Sequence, residues 1–198
     1  MSLPTYNKND RRKSFELLPK GAYVIRILGA KEEPKKNGKT GTNLVIAFDI
    51  AEGEYANFYN KQFEGNSDEN KKWPNDGTYY LNVPGDDSPA YVWTNWNSFF
   101  ADLEDSNNGF VFSGDVKSLK GKLIGGKFAN DQSSYNGNVY DHTRLKWTCV
   151  ADDVRNGKPG KMPKDKLIPQ YTGSGSAPKA DENGFMSVPD GVDEELPF

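Results

Sequence analysis

Apolar and polar residues alternate in short, punctuated runs from Lys20 to Val154, the pattern of half-buried strands. After the turn Pro19-Lys20-Gly21, Tyr23, Ile25 and Ile27 alternate with Val24, Arg26 and Leu28. A loop from Lys31 to Thr42, rich in Lys, Gly and Asn, separates them from Leu44, Ile46, Phe48 and Ile50, which alternate with Asn43, Val45, Ala47 and Asp49. That second run is the clearest period-two signal in the chain. Phe58 to Phe63 and Thr78 to Val83 predict a third strand in two pieces, parted by a polar loop from Gly65 to Lys72. Lys122 to Phe128 and Val139 to Val150 predict two more strands, joined across Asp131 to Asn138 with Asn136-Gly137 as the turn.

One segment changes period. Ser88-Pro89 reads as a helix start, Ser as N-cap and Pro in the first turn. Beyond it Val92, Trp93, Trp96, Phe99, Phe100 and Leu103 recur at steps of three and four, until Asn107-Asn108-Gly109 ends the run. Five strands with one helix between the third and fourth predict a mostly-β fold, a five-stranded OB-fold barrel. Ligands of that fold, oligonucleotides or oligosaccharides, cross strands 2 and 3 and the loops joining strands 1–2 and 4–5. From Arg155 onward Gly, Pro, Ser and Lys prevail, and Gly173-Ser174-Gly175-Ser176 reads as linker. The expected organisation is an N-terminal arm over 1–19, the barrel over 20–154, a flexible linker over 155–189 and an acidic tip over 190–198, the tail being disordered.

Strand parity separates core from surface, because a shift of one residue moves a side chain to the opposite face. With Ile25, Leu44, Ile46, Phe48, Leu81, Leu145 and Trp147 inward, the outward set contains Arg26, Lys127 and the strip Tyr140, His142, Arg144 and Lys146. Tyr59, Lys61 and Phe63 share a face in the third strand, which also carries Tyr80. The first loop adds Lys35, Lys36 and Lys39, and the last hairpin adds Tyr135. Such a mixture suits a single nucleic-acid strand. Cations follow the phosphates, while rings such as Tyr59, Phe63, Tyr80, Tyr135 and Tyr140 stack on bases whatever their identity. Tyr79, Trp93 and Trp96 are assigned to the core.

Composition sharpens this picture. Aromatic residues make up 13% of a chain that is only 35% hydrophobic, more ring surface than so polar a chain needs inside. The net charge of -3 hides an asymmetry: six acids and no base fall in the last eighteen residues, so residues 1–180 carry a net +3. One cysteine, Cys149, excludes an intrachain disulfide and a thiolate zinc site, and a reducing cytoplasm is the expected setting. No run of about 18 apolar residues suggests a membrane span. Catalysis is not expected. His142 is the only histidine, the carboxylate pairs Glu32-Glu33 and Asp86-Asp87 read as loop acids, and Gly125-Gly126-Lys127 lacks the spacing and hydroxyl of a phosphate-binding loop. Neither metal nor cofactor is expected, and self-association is left open.

The chain ends Val192-Asp193-Glu194-Glu195-Leu196-Pro197-Phe198. Such a segment has too little apolar surface to fold alone, but it presents a ring, a free carboxylate and three acids for docking into a basic groove. This ending resembles the acidic tip of bacterial single-stranded DNA-binding proteins. In that family an OB domain holds DNA, a Gly- and Pro-containing linker follows, and the tip recruits replication and repair enzymes. The resemblance implies a partner-binding role for Asp193, Glu194, Glu195, Leu196, Pro197 and Phe198. The body resembles a phage-borne family through Phe15-Glu16-Leu17-Leu18-Pro19-Lys20-Gly21-Ala22-Tyr23, Lys36-Asn37-Gly38-Lys39, Asn43 to Ile50, Leu119-Lys120-Gly121-Lys122 and Tyr135-Asn136-Gly137. Members of that family are taken as phage single-stranded DNA-binding proteins encoded beside recombination genes. Together the two resemblances imply a protein that coats single-stranded DNA during phage replication or recombination in a bacterial host. A protein- or oligosaccharide-binding barrel is the alternative.

Overall fold

A computed structural model describes residues 5, 16–36, 39–136 and 138–168. Two compact units divide the chain, Met1–Leu167 and Ile168–Phe198, and the described residues belong to the first, save Ile168. Most of the expected arm, most of the linker and the whole acidic tip therefore lie outside the described residues.

The fold is mostly β. Strands β1 (Gly21–Pro34), β2 (Thr42–Ile50), β3 (Thr78–Asn82), β4 (Leu123–Tyr135) and β5 (Asn138–Cys149) form one antiparallel sheet in the order β3-β2-β1-β4-β5. The first strand outruns its expected end: Lys31 to Pro34 pair with Val45 to Thr42, so the β1–β2 connection is shorter than the Lys-rich run suggests. Leu28 is the extra residue of a bulge, because Ile27 pairs with Phe48 while Gly29 pairs with Ala47. Likewise β4 and β5 run on to a tight turn at Asn136, whose φ of 49° lies in the left-handed region that Asn tolerates.

Among the described residues three α-helices accompany the sheet: α1 (Phe58–Glu64), α2 (Ala90–Asp105) and α3 (Ala151–Arg155). The first overturns the expected first half of the third strand. Tyr59, Lys61 and Phe63 alternate as a strand would, yet the Asp49 carboxylate accepts the backbone N–H groups of Tyr59 (2.9 Å) and Asn60 (3.0 Å) and so holds a helical turn in place. The N-cap residue itself, Asn57, supplies no side-chain bond. In α2 the three-and-four periodicity buries Val92, Phe99, Phe100 and Leu103 as expected, but Ser88 does not cap it; its hydroxyl accepts from Gly85 N–H instead. Trp93 is exposed rather than core, while Trp96 packs against Phe100 at 4.8 Å.

The core fills one side of the sheet: Ile25, Ile27, Ile46, Phe48, Ile124, Phe128 and Leu145 meet Tyr59 of α1 and the apolar stripe of α2. Gly77 fits here for want of a side chain, since a Cβ would lie 2.7 Å from the Trp73 indole nitrogen and 2.9 Å from the Tyr59 ring. On the other side α3 covers part of β1 and β4, and the chain beyond it, expected as linker, continues along β4: Lys166 N–H donates to Asn130 O, and Lys166 O accepts from Gln132 N–H.

The sheet is open. Among the described residues no backbone ladder joins its edge strands β3 and β5. Side chains span the seam instead. Asp76, two residues before β3, meets His142 Nδ1 at 3.1 Å and Arg144 Nε at 3.3 Å, both on β5.

Candidate functional site

Residues directly opposite in antiparallel pairs share a face, so the register identifies what the coreless side presents. Lys31, Val45 and Tyr80 form one row across β1, β2 and β3, and Arg26 and Asp49 form another; of these, Val45 and Asp49 are buried, Asp49 against α1. Across the β4–β5 arm the rows are Lys127 with Trp147, Ala129 with Arg144, Asp131 with His142, Ser133 with Tyr140, and Tyr135 with Asn138. Three of the expected stacking rings stand on this face and open to water: Tyr80 at 48%, Tyr135 at 69% and Tyr140 at 47% of full exposure.

Trp147 joins them, against expectation. Strict alternation places it inward with Leu145, but β5 carries a bulge at Lys146. Leu145 pairs with Phe128 on the core face, whereas Trp147 pairs with Lys127 on the outer one and stays 43% exposed. No sequence signal marks this bulge, so parity counting misplaces whatever lies beyond it.

The strip of bases on β5 is present but not free. Arg144 meets Asp76 and, at 3.5 Å, Asp131; Lys146 Nζ donates to Asp131 at 2.5 Å; His142 sits between Asp76 and the Ser133 hydroxyl. Two carboxylates thus offset two full cations. Burial works to raise the Asp131 carboxyl, but the hydrogen bond from Lys146 and the charges of Lys146, Arg144 and Lys166 outweigh it and hold it below the usual range.

The remaining expected contacts divide. Lys36 and Lys39 are exposed and Lys35 half-buried around the β1–β2 turn, and Lys61 is exposed on α1; among the described residues none forms an ion pair. Arg26 is exposed on β1. Lys127 is half-buried, donating to Pro159 O at 3.1 Å. Phe63 is half-buried on α1, 5.7 Å from Trp73 and beneath the Lys71 ammonium. Tyr59 is 2% exposed and packs on Phe48 and Phe58, so it cannot meet a ligand from solvent. It is a core residue and not a stacking ring.

Burial pushes the Cys149 thiol up, away from thiolate. Among the described residues no cluster of His, Cys, Asp and Glu could hold a metal, and no helix is long and apolar enough to cross a membrane. No protein-family model matches the chain, and no curated protein matches it.

Proposed function

We propose that this chain is a non-catalytic single-stranded DNA-binding protein of the OB type, serving phage replication or recombination and recruiting partners through Asp193 to Phe198. One observation carries the reading. Tyr80, Tyr135 and Tyr140 stand exposed on the coreless face of a five-stranded sheet, and the turn beginning at Lys35, where Lys36 and Lys39 form no ion pair among the described residues, belongs to the same sheet. The strand order supports it, because β1 pairs with both β2 and β4, a helix separates β3 from β4, and the edges β3 and β5 meet through Asp76, as in a partly open five-stranded barrel.

Each part has a task on an unpaired strand. Rings stack on bases with about 1–3 kcal/mol apiece and little preference, while lysines replace condensed counterions along the phosphates. Lys35, Lys36, Lys39 and Lys61 are ready for this, whereas Arg144 and Lys146 must first share or release their carboxylates.

Fluorescence titration with oligothymidylate, duplex DNA and a β-glucan at low and high salt tests the proposal. Oligothymidylate should bind best, its affinity falling steeply with salt, and Tyr80→Ala with Tyr140→Ala should weaken it. Deleting Leu196 to Phe198 should leave that affinity intact and abolish capture of replication proteins. Indifference to oligothymidylate at low salt, or equal binding of the glucan at both salts, would sink it.

A further inference from the structure

Between α2 and the base of β5 lies a cleft of about 270 Å3, lined by Tyr79, Asn95, Ser98, Lys127, Trp147 and Thr148. None of the three exposed tyrosines of the sheet lines it. Trp147 reaches it through the β5 bulge, and nearly half of its surface stays in water. An indole is the largest apolar side chain, and an open one at the lip of a cleft offers a flat face for stacking. The Lys127 ammonium stands 6.0 Å from its ring centroid and spends one of three N–H donors on Pro159 O, so two remain.

The opposite wall is one stripe of α2. Asn95 and Ser98 lie three residues apart on one helix face, and Tyr91, four residues before Asn95 on that face, is 64% exposed. Among the described residues the Asn95 side chain makes no hydrogen bond, leaving a donor and an acceptor together. At the floor Thr148 donates to Asp102 at 2.6 Å, so a carboxylate balances Lys127 and the cleft is close to neutral. Burial, then the charge of Asp102, pushes the Tyr79 hydroxyl up to about 12, which keeps it a donor.

We propose that this cleft is a nucleobase subsite for the same single strand: Trp147 stacks the base, the Asn95 amide meets its edge, and Lys127 takes the adjoining phosphate. The assignment rests on the DNA-binding reading above. A flat, near-neutral, hydrogen-bonding slot with one cation at its lip suits a base better than a phosphate. Its position also fits a continuous path. Tyr140 and Trp147 lie seven residues apart on the outer face of β5, about 20 Å along an extended strand. His142, Arg144 and Lys146 lie between them. A strand held by the tyrosines at the arm would run along β5 and set a later base in the cleft.

Anisotropy of end-labelled oligothymidylates of about six and about twenty nucleotides tests this with the full chain. Trp147→Ala should weaken the longer oligomer by about 5- to 100-fold and the shorter one, which the tyrosines can hold alone, by less. Trp147→Phe should retain most of the affinity and serves as the control for folding, together with thermal melts of both variants. Lys127→Ala should flatten the salt dependence by a little under one phosphate's share. If Trp147→Ala binds both lengths as the wild type does while Tyr80→Ala and Tyr140→Ala weaken both, the cleft assignment falls and the DNA-binding reading stands. If the wild type binds neither length at low salt, both fall. Binding of a β-glucan that is lost in Trp147→Ala would make the cleft a sugar site and overturn the base assignment.

Discussion

Tyr59 shows how far one side chain can depart from its alternation. Among the described residues its buried hydroxyl has no hydrogen-bond partner, and burial, helped by the charges of Asp76 and Asp49, pushes it far above an ordinary phenol. A buried donor left unmade costs about 1–3 kcal/mol, so Tyr59→Phe should be neutral or stabilising by up to about 1 kcal/mol and leave oligothymidylate binding unchanged. Urea unfolding measures the first and titration the second; a loss of affinity would return Tyr59 to the binding surface. Asp131 is the opposite case, a buried carboxylate with its cations in place. Its folded carboxyl titrates below an unfolded aspartate at about 3.9, so its stabilisation is complete above that value and drains away as pH falls through it toward the folded one. Asp131→Asn should therefore destabilise the protein at neutral pH and shrink the difference between pH 7 and pH 3; identical pH slopes for both proteins would refute this. Neither partner set can be read along the chain, since Asp131 has the sequence setting of a turn residue and Asp76 that of a loop acid.

At the scale of elements, legibility follows the distance over which each signal acts. β2 and α2 are legible because their periodicity is local and one face of each is buried. The Asn136 turn is legible because its chemistry sits in the dipeptide. α1 is not, because its deciding group, Asp49, lies ten residues before Tyr59 on another element. The same carboxylate also accepts from Ile50 N–H at 2.8 Å, and it is 4% exposed. Asp49→Ala should leave buried donors unpaired at a cost of about 1–3 kcal/mol, with a loss of helical signal, while Asp49→Asn should recover part of it by accepting one of those bonds. Equal stability of the Ala variant and the wild type in urea would mean that packing of Tyr59 alone fixes α1. The β5 bulge is hidden for a related reason: it answers to Phe128 and Lys127 on the partner strand, which no count along β5 can see.

For the whole molecule, the seam between β3 and β5 joins stability to binding. Asp76 holds the edge strands together through His142 and Arg144, and by doing so it withholds cationic charge from the outer face between Tyr140 and Trp147. The two roles oppose each other, and substitution can separate them. Asp76→Asn removes the charge but keeps an acceptor for one hydrogen bond, whereas Asp76→Ala removes both. The seam groups are partly exposed, so either change should cost about 1 kcal/mol or less, the Ala variant more. On the proposed DNA path both should bind oligothymidylate more tightly at low salt, with the log–log salt slope steepened by about 0.7 for each further phosphate that the protein neutralises. Arg144→Ala should cancel that tighter binding in the Asp76→Asn background, since the freed guanidinium is its source. Unchanged affinity and slope in Asp76→Asn would mean that Arg144 does not meet DNA, and would leave phosphate binding to the lysines of the β1–β2 turn and α1 and to Lys127.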